Sequence, residues 1–162
     1  MTDNLPPSRG GKPSWASSAA AQRVMRGNRH RDSRPELAVR RAAHALGLRY
    51  RVATAPLAGV RRTADLVFPG QRVAVFVDGC FWHGCPRHYV ASKTNRDFWD
   101  NKIAANRLRD NETNELLDQA GWVALRFWAH EEPASVATQI YRVVHKRRTR
   151  KQQSTPQKHA ID

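Results

Sequence analysis

The stretch Arg72-Val73-Ala74-Val75-Phe76-Val77-Asp78-Gly79-Cys80-Phe81-Trp82-His83-Gly84-Cys85-Pro86-Arg87-His88 decides how the chain is read. Residues 72–77 follow a Pro69-Gly70 turn and are β-branched and continuous, as expected of a strand buried on both faces at the centre of a sheet. The loop past that strand gathers both cysteines of the chain together with His83, His88, Phe81 and Trp82.

Outward from this strand the periodicities alternate. Ser33-Arg34-Pro35-Glu36 has the S-x-x-E form of a capping box, and Val39, Ala42, Ala43 and Leu46 keep helical spacing until Gly47. Leu48 to Val52 reads as a short strand and Asp65 to Phe68 as a second. Beyond the central strand, Thr94-x-x-Asp97 can cap a long polar helix from about Arg96 to Ala120, closed by Gly121, and Trp122 to Trp128 is a fourth strand. After Pro133, Val136, Ile140, Val143 and Val144 share one side of a last helix. The order α-β-β-β-α-β-α predicts a three-layer α/β core, a central mixed β-sheet flanked by helices.

With 162 residues there is room for one sizeable core. Residues 1–21 are rich in Pro, Ser, Gly and Ala, residues 145–162 are basic and polar, and both read as disordered tails around a domain at 22–144. The 28 Lys+Arg against 14 Asp+Glu give a net charge of +14, which points to a polyanion. Nucleic acid is favoured over a membrane because no basic amphipathic helix and no apolar run of spanning length is present. The first residues have no apolar core of a secretory signal, so a cytoplasmic, reducing compartment is expected, and two cysteines exclude a disulfide scaffold.

Cys80-x4-Cys85-x2-His88 supplies three soft or borderline donors in a short loop, which suits tetrahedral zinc if a fourth comes from elsewhere. His130, just after the fourth strand, is the natural candidate, since neighbouring parallel strands end side by side. Spacing alone does not separate His83 from His88 as third ligand, and a Cys80–Cys85 disulfide or two free thiols are the alternatives. Asp65 opens the second strand behind Arg61 and Arg62, a reasonable place for a magnesium ligand in phosphodiester hydrolysis, with a histidine near by as base. On the third strand Val73, Val75 and Val77 share one face and Ala74, Phe76 and Asp78 the other, which argues against Asp78 joining Asp65. Phe81, Trp82, Phe98 and Trp99 crowd the same polar loop, where aromatics can stack on unpaired bases or wedge between base pairs; ordinary core packing is the alternative for each.

The strings Asp78-Gly79-Cys80-Phe81-Trp82-His83-Gly84-Cys85-Pro86, Lys93-Thr94-Asn95-Arg96-Asp97-Phe98-Trp99 and Gly121-Trp122-Val123 resemble the very short patch repair endonucleases, the Vsr family, over about Gln22 to Glu132. The resemblance implies a restriction-endonuclease-like fold and a magnesium-dependent enzyme that nicks one strand at a T:G mismatch left by deamination of 5-methylcytosine. By position it implies that Asp65 binds magnesium, that Val77 lends its backbone carbonyl, that His83 is the catalytic histidine and that Glu36 supports the site. It makes Cys80, Cys85, His88 and His130 the zinc set. Phe81, Trp82 and Trp99 become a wedge beside the mismatch, Met25 an arm residue in the opposite groove, and Asn106 and Asp110 helix residues near DNA and the site. Restriction-type nucleases usually carry an acid, one residue, then Lys on the third strand; here Val77-Asp78-Gly79 stands there, consistent with His83 serving instead. A monomer is expected, with mismatch-repair proteins and a cytosine-5 methyltransferase as pathway partners. Two other readings are a zinc-containing module that binds distorted DNA without cutting it, and a sequence-specific nuclease of the same fold.

Overall fold

The computed structural model describes residues 31–93 and 95–153, and among these described residues are four strands and three helices. In chain order they are α1 (Arg34–Ala45), β1 (Arg51–Thr54), β2 (Ala64–Phe68), β3 (Val73–Asp78), α2 (Arg96–Gln119), β4 (Val123–Trp128) and α3 (Pro133–Gln153). The sheet order is β1-β2-β3-β4; β2 is antiparallel to both neighbours, whereas β3 and β4 are parallel and in register from Val73↔Val123 to Asp78↔Trp128. This is the mixed, three-layer α/β arrangement that the element order predicts.

The alternation along β3 separates the two helical layers. Val73 and Val75, with Leu66, Phe68 and Phe127, pack against Val39 and Ala43 of α1 and against Val136, Ala137, Ile140 and Val144 of α3. Ala74 and Phe76, with Val67, face Leu117 of α2. Burying side chains of this size contributes about 1.5–3 kcal/mol each. The two clusters therefore hold α2 on one face of the sheet and α1 and α3 on the other.

The helix ends are built locally. Glu36 reaches back in the first turn of α1, accepting the Asp32 N–H at 2.8 Å and the Ser33 hydroxyl at 2.7 Å, so the expected box forms around the glutamate and Ser33 itself caps no backbone group. At the end of α2, Gly121 has φ 73° and donates to Asp118 O while Trp122 donates to Leu117 O, both at 2.8 Å, the paired closure that a left-handed residue permits. Glu132 caps α3 by accepting the N–H groups of Ala134 and Ser135.

Three expectations are corrected. The first strand is displaced toward Arg51–Thr54, because Leu48 drops into the core with the α1 cluster. The residue before α2 is Asn95, in the left-handed region at φ 53° and without a side-chain cap; Thr94 lies outside the described residues. The basic segment read as a tail from 145 is helical through Gln153, because Arg147 donates to the carbonyls of Gln71 and Gly121 and Val144 is anchored in the core. Residues 1–30, with Met25, and residues 154–162 lie outside the described residues. Among the described residues no helix is long and apolar enough to cross a membrane.

Candidate active site and metal centre

The parallel pairing of β3 with β4 brings both strand ends to one edge, and the side chains that sequence reasoning singled out separate there into two groups. The first is the donor set Cys80, Cys85, His88 and His130, whose ligand atoms all lie within 4.8 Å of one another. His130 Nδ1 is 3.2 Å from Cys80 Sγ and 3.8 Å from Cys85 Sγ, and His88 Nδ1 is 3.9 Å from Cys85 Sγ. The edge of a tetrahedron with one S and one N ligand at zinc distances is about 3.6 Å, so this set fits zinc in chemistry and in spacing. Both cysteines are free thiols, which leaves the disulfide alternative without support.

His83 stands apart from those donors and joins Asp78 and Asp110. Its Nδ1 is 2.5 Å from Asp110 Oδ2 and 3.9 Å from Asp78 Oδ1. Spacing left His83 and His88 equivalent; the fold separates them by turning His88 toward the cysteines and His83 toward α2. Burial by itself would lower the His83 pKa, but the bond to Asp110 and the charges of Asp78 and Asp110 outweigh it and Arg126, and the pKa is raised. Asp110 moves the opposite way: burial pushes it up, and His83, Arg126 and Arg109 bring it below the usual carboxylate value.

Asp65 lies on β2, next to the end of the β2–β3 ladder. The recorded pairing runs from Phe68↔Val73 to Leu66↔Val75, and beyond it Asp65 Oδ2 accepts the Val77 N–H at 2.7 Å. Burial pushes the Asp65 carboxyl up to about 6; the Val77 N–H and Arg40 oppose this, while Glu36 and Asp78 add to it. Glu36 is thus electrostatically part of the site, with its oxygens engaged by Asp32, Ser33 and Arg40. The Asp65 carboxylate offers hard oxygen donors, half-sheltered by burial and flanked by Glu36 and Asp78, a donor chemistry that fits magnesium. Asp78 is committed elsewhere, with both its oxygens on Arg126 at 2.8 and 2.9 Å.

The aromatics form one edge-to-face cluster. Phe81 lies 5.4 Å from Trp82 and 5.2 Å from Trp99, and Trp82 lies 5.7 Å from Trp99. Phe81 and Trp82 are partly exposed, as a stacking surface requires. Trp99 is only 8% exposed, which corrects its placement on that surface: it sits in the first turn of α2 and supports the other two rings from below. Phe98 packs on Trp99 at 5.2 Å.

One anchoring residue, Arg107, and one ion-pair hub, Arg126, went unread in the sequence. Asn106 of α2, the residue expected near DNA, donates to Trp82 O at 2.8 Å and so fastens the loop. Arg107 donates to His83 O at 3.0 Å and also to Gly84 O. Arg126 of β4 bridges Asp78 and Asp110. The available signal for Arg126 was a lone cation inside the apolar run Val123-Ala124-Leu125-Arg126-Phe127-Trp128, which demands a carboxylate partner.

A family profile described as DNA mismatch endonuclease Vsr matches residues 16–88. Type II nicking enzyme V.NaeI of Lentzea aerocolonigenes is 40% identical over 130 residues, covering 79% of this chain and 78% of that protein. The chain belongs to the Vsr family. Type II nicking enzyme V.XorIIP of Xanthomonas oryzae pv. oryzae is 38% identical, covering 81% of this chain and 87% of the relative. DNA mismatch endonuclease Vsr of Escherichia coli K12 is 32% identical over 68% of this chain and 69% of its own length. This Vsr-family protein is a DNA endonuclease with a restriction-endonuclease-like α/β fold.

Proposed function

We propose that the chain is a magnesium-dependent endonuclease that nicks one DNA strand at T:G mismatches, such as those left when 5-methylcytosine deaminates, and that it carries one structural zinc on Cys80, Cys85, His88 and His130. The observation that carries the reading is His83, whose Nδ1 is held by Asp110 at 2.5 Å on the loop that also presents Phe81 and Trp82. The names of the relatives support it, since V.NaeI and V.XorIIP are nicking enzymes and the Escherichia coli relative is a mismatch endonuclease.

With Asp110 accepting the Nδ1 proton, the imidazole carries its lone pair on Nε2, the atom that would take a proton from an attacking water. Asp110 then stabilises the imidazolium and keeps the ring from rotating. The Asp65 carboxylate and the Val77 carbonyl would hold magnesium, which when bound supplies positive charge to the scissile phosphate. Glu36 adds negative charge beside Asp65, and Arg40, bonded to Glu36, partly offsets it. The net charge of +14 attracts the DNA backbone without reading its sequence. Phe81 and Trp82 offer a stacking surface at the mismatch, where a wobble pair costs less to open than a Watson–Crick pair. A cytosine-5 methyltransferase would create the methylated base whose deamination gives this substrate, and mismatch-repair proteins are the expected companions.

Matched and T:G-mismatched duplexes incubated with the protein and magnesium, resolved by strand on denaturing gels, test this reading. Cutting of one strand, in the mismatched duplex only, is expected. Cutting of both strands of matched DNA would overturn it.

A further inference from the structure

The face of the sheet that carries Ala74 and Phe76 is apolar except at its end, where Arg126 lies in register beside Phe76. The Arg126 side chain is only 19% exposed, and a cation so placed is tolerated only if its donors are matched. They are matched in an ordered way. One nitrogen, Nη1, serves both oxygens of Asp78 at 2.8 and 2.9 Å, while Nη2 takes Asp110 Oδ1 at 3.1 Å. Nε donates to Asn114 Oδ1 at 3.1 Å, and the guanidinium carbon lies 4.4 Å from the centre of the Phe76 ring. Helix α2, strand β3 and strand β4 thereby fix the plane of one fork.

Two carboxylates stand within reach of His83 Nδ1, Asp110 at 2.5 Å and Asp78 at 3.9 Å, and only one of them can orient the ring. Arg126 contacts both oxygens of Asp78 and Oδ1 of Asp110, so Asp110 Oδ2, the one oxygen of the four without an Arg126 contact, faces the imidazole. We infer that Arg126 is a positioning residue for the nicking reaction: by dividing its fork between Asp78 and Asp110 it selects Asp110 as the partner of His83 and fixes the direction in which the free ring nitrogen points. A lysine could neutralise the two charges but offers no planar fork with which to divide them. The inference rests on His83 acting as the base.

The experiment measures single-turnover nicking of a mismatched duplex across protein concentrations, giving a maximal rate and a half-saturating concentration for each variant, with melting temperature and zinc content recorded alongside. Arg126→Lys is expected to fold, to bind DNA within about twofold of the wild type and to lose about tenfold to a hundredfold in maximal rate, as misplacement of a reacting group does. Arg126→Lys made in a His83→Ala background is expected to cost no further rate. A Lys variant that keeps its maximal rate within about twofold would overturn the role of the fork. A loss of the same size in the His83→Ala background, or a change confined to the half-saturating concentration, would also overturn it, by assigning Arg126 to DNA contact or to general stability. If the Lys variant melts early, Arg126→Gln, which keeps a planar donor, is put through the same measurements and read by the same outcomes. His83→Ala nicking at the wild-type rate would instead remove His83 as the base, an outcome separate from any behaviour of Arg126.

Discussion

The carboxylate of Asp65 accepts the backbone N–H of Val77 at 2.7 Å, beyond the last recorded β2–β3 partners, Leu66 and Val75. A side chain thus takes over from the ladder at this edge of the sheet. The arrangement costs stability, because the carboxyl is held at about 6 against an ordinary value of 3.8.

Asp65→Asn is expected to abolish nicking while raising thermal stability at neutral pH in magnesium-free buffer. The fold binds the Asp65 proton more tightly than the unfolded chain does, so stability falls as pH rises from 3.8 through about 6 and stays low above it. Asn keeps an acceptor for Val77 without the buried charge, and the gain at pH 7 should be about 1–3 kcal/mol, vanishing near pH 4. Melting curves at the two pH values check it. Equal melting differences at both would dissociate the effect from ionisation.

One zinc per chain is expected in freshly purified protein by elemental analysis. Cys85, buried and central to the donor set, is the ligand whose loss should be felt most, so Cys85→Ser should lose the metal, melt earlier and nick poorly even in excess magnesium. Metal-free protein with a wild-type melting curve would contradict this.

Trp82 and Trp99 belong to one cluster but should fail differently. Trp82 is partly exposed, and Trp82→Ala should weaken binding to mismatched DNA more than to matched DNA. Trp99 is buried, and Trp99→Ala should lower stability by about 3–5 kcal/mol and affect both duplexes alike. Affinities at one salt concentration, with a thermal melt for each variant, separate the two; an unchanged ratio for Trp82→Ala would assign that ring to packing.

Gly84→Ala should be destabilising out of proportion to its size. Gly84 has φ 62°, and a Cβ there would stand 2.6 Å from Arg107 Nη2 and 2.9 Å from Ile103 Cγ2. The left-handed backbone alone costs a non-glycine residue about 1–2 kcal/mol. Displacing Arg107 should loosen His83 as well, so nicking rate and melting temperature should fall together. A variant that matches the wild type in both would show that the loop tolerates the shift.

The sheet was legible because its signals are local: a β-branched run, a Pro-Gly turn and glycines at two helix ends. Much of the site was legible because its residues crowd one loop. Arg126 was not, since its carboxylate partners Asp78 and Asp110 lie on other elements and only the three-dimensional contact reveals the pairing. Trp99 was misplaced because helical periodicity in the first turn of α2 gives no sign of which face the loop covers. The last turns of α3 were read as tail because a run of Lys and Arg looks solvated, whereas Arg147 is tied to two backbone carbonyls far away in sequence.

Asn106 and Arg107 hold the carbonyls of Trp82, His83 and Gly84 in succession, between two cysteines that the fold brings together. On the proposed reading, the loop that bears the imidazole is already fastened before DNA binds. Association with substrate need not order this segment, and the entropy that a mobile loop would forfeit at that moment is already accounted for when the chain folds. On that reading, selectivity would come from deformation of the duplex and not from ordering of this loop.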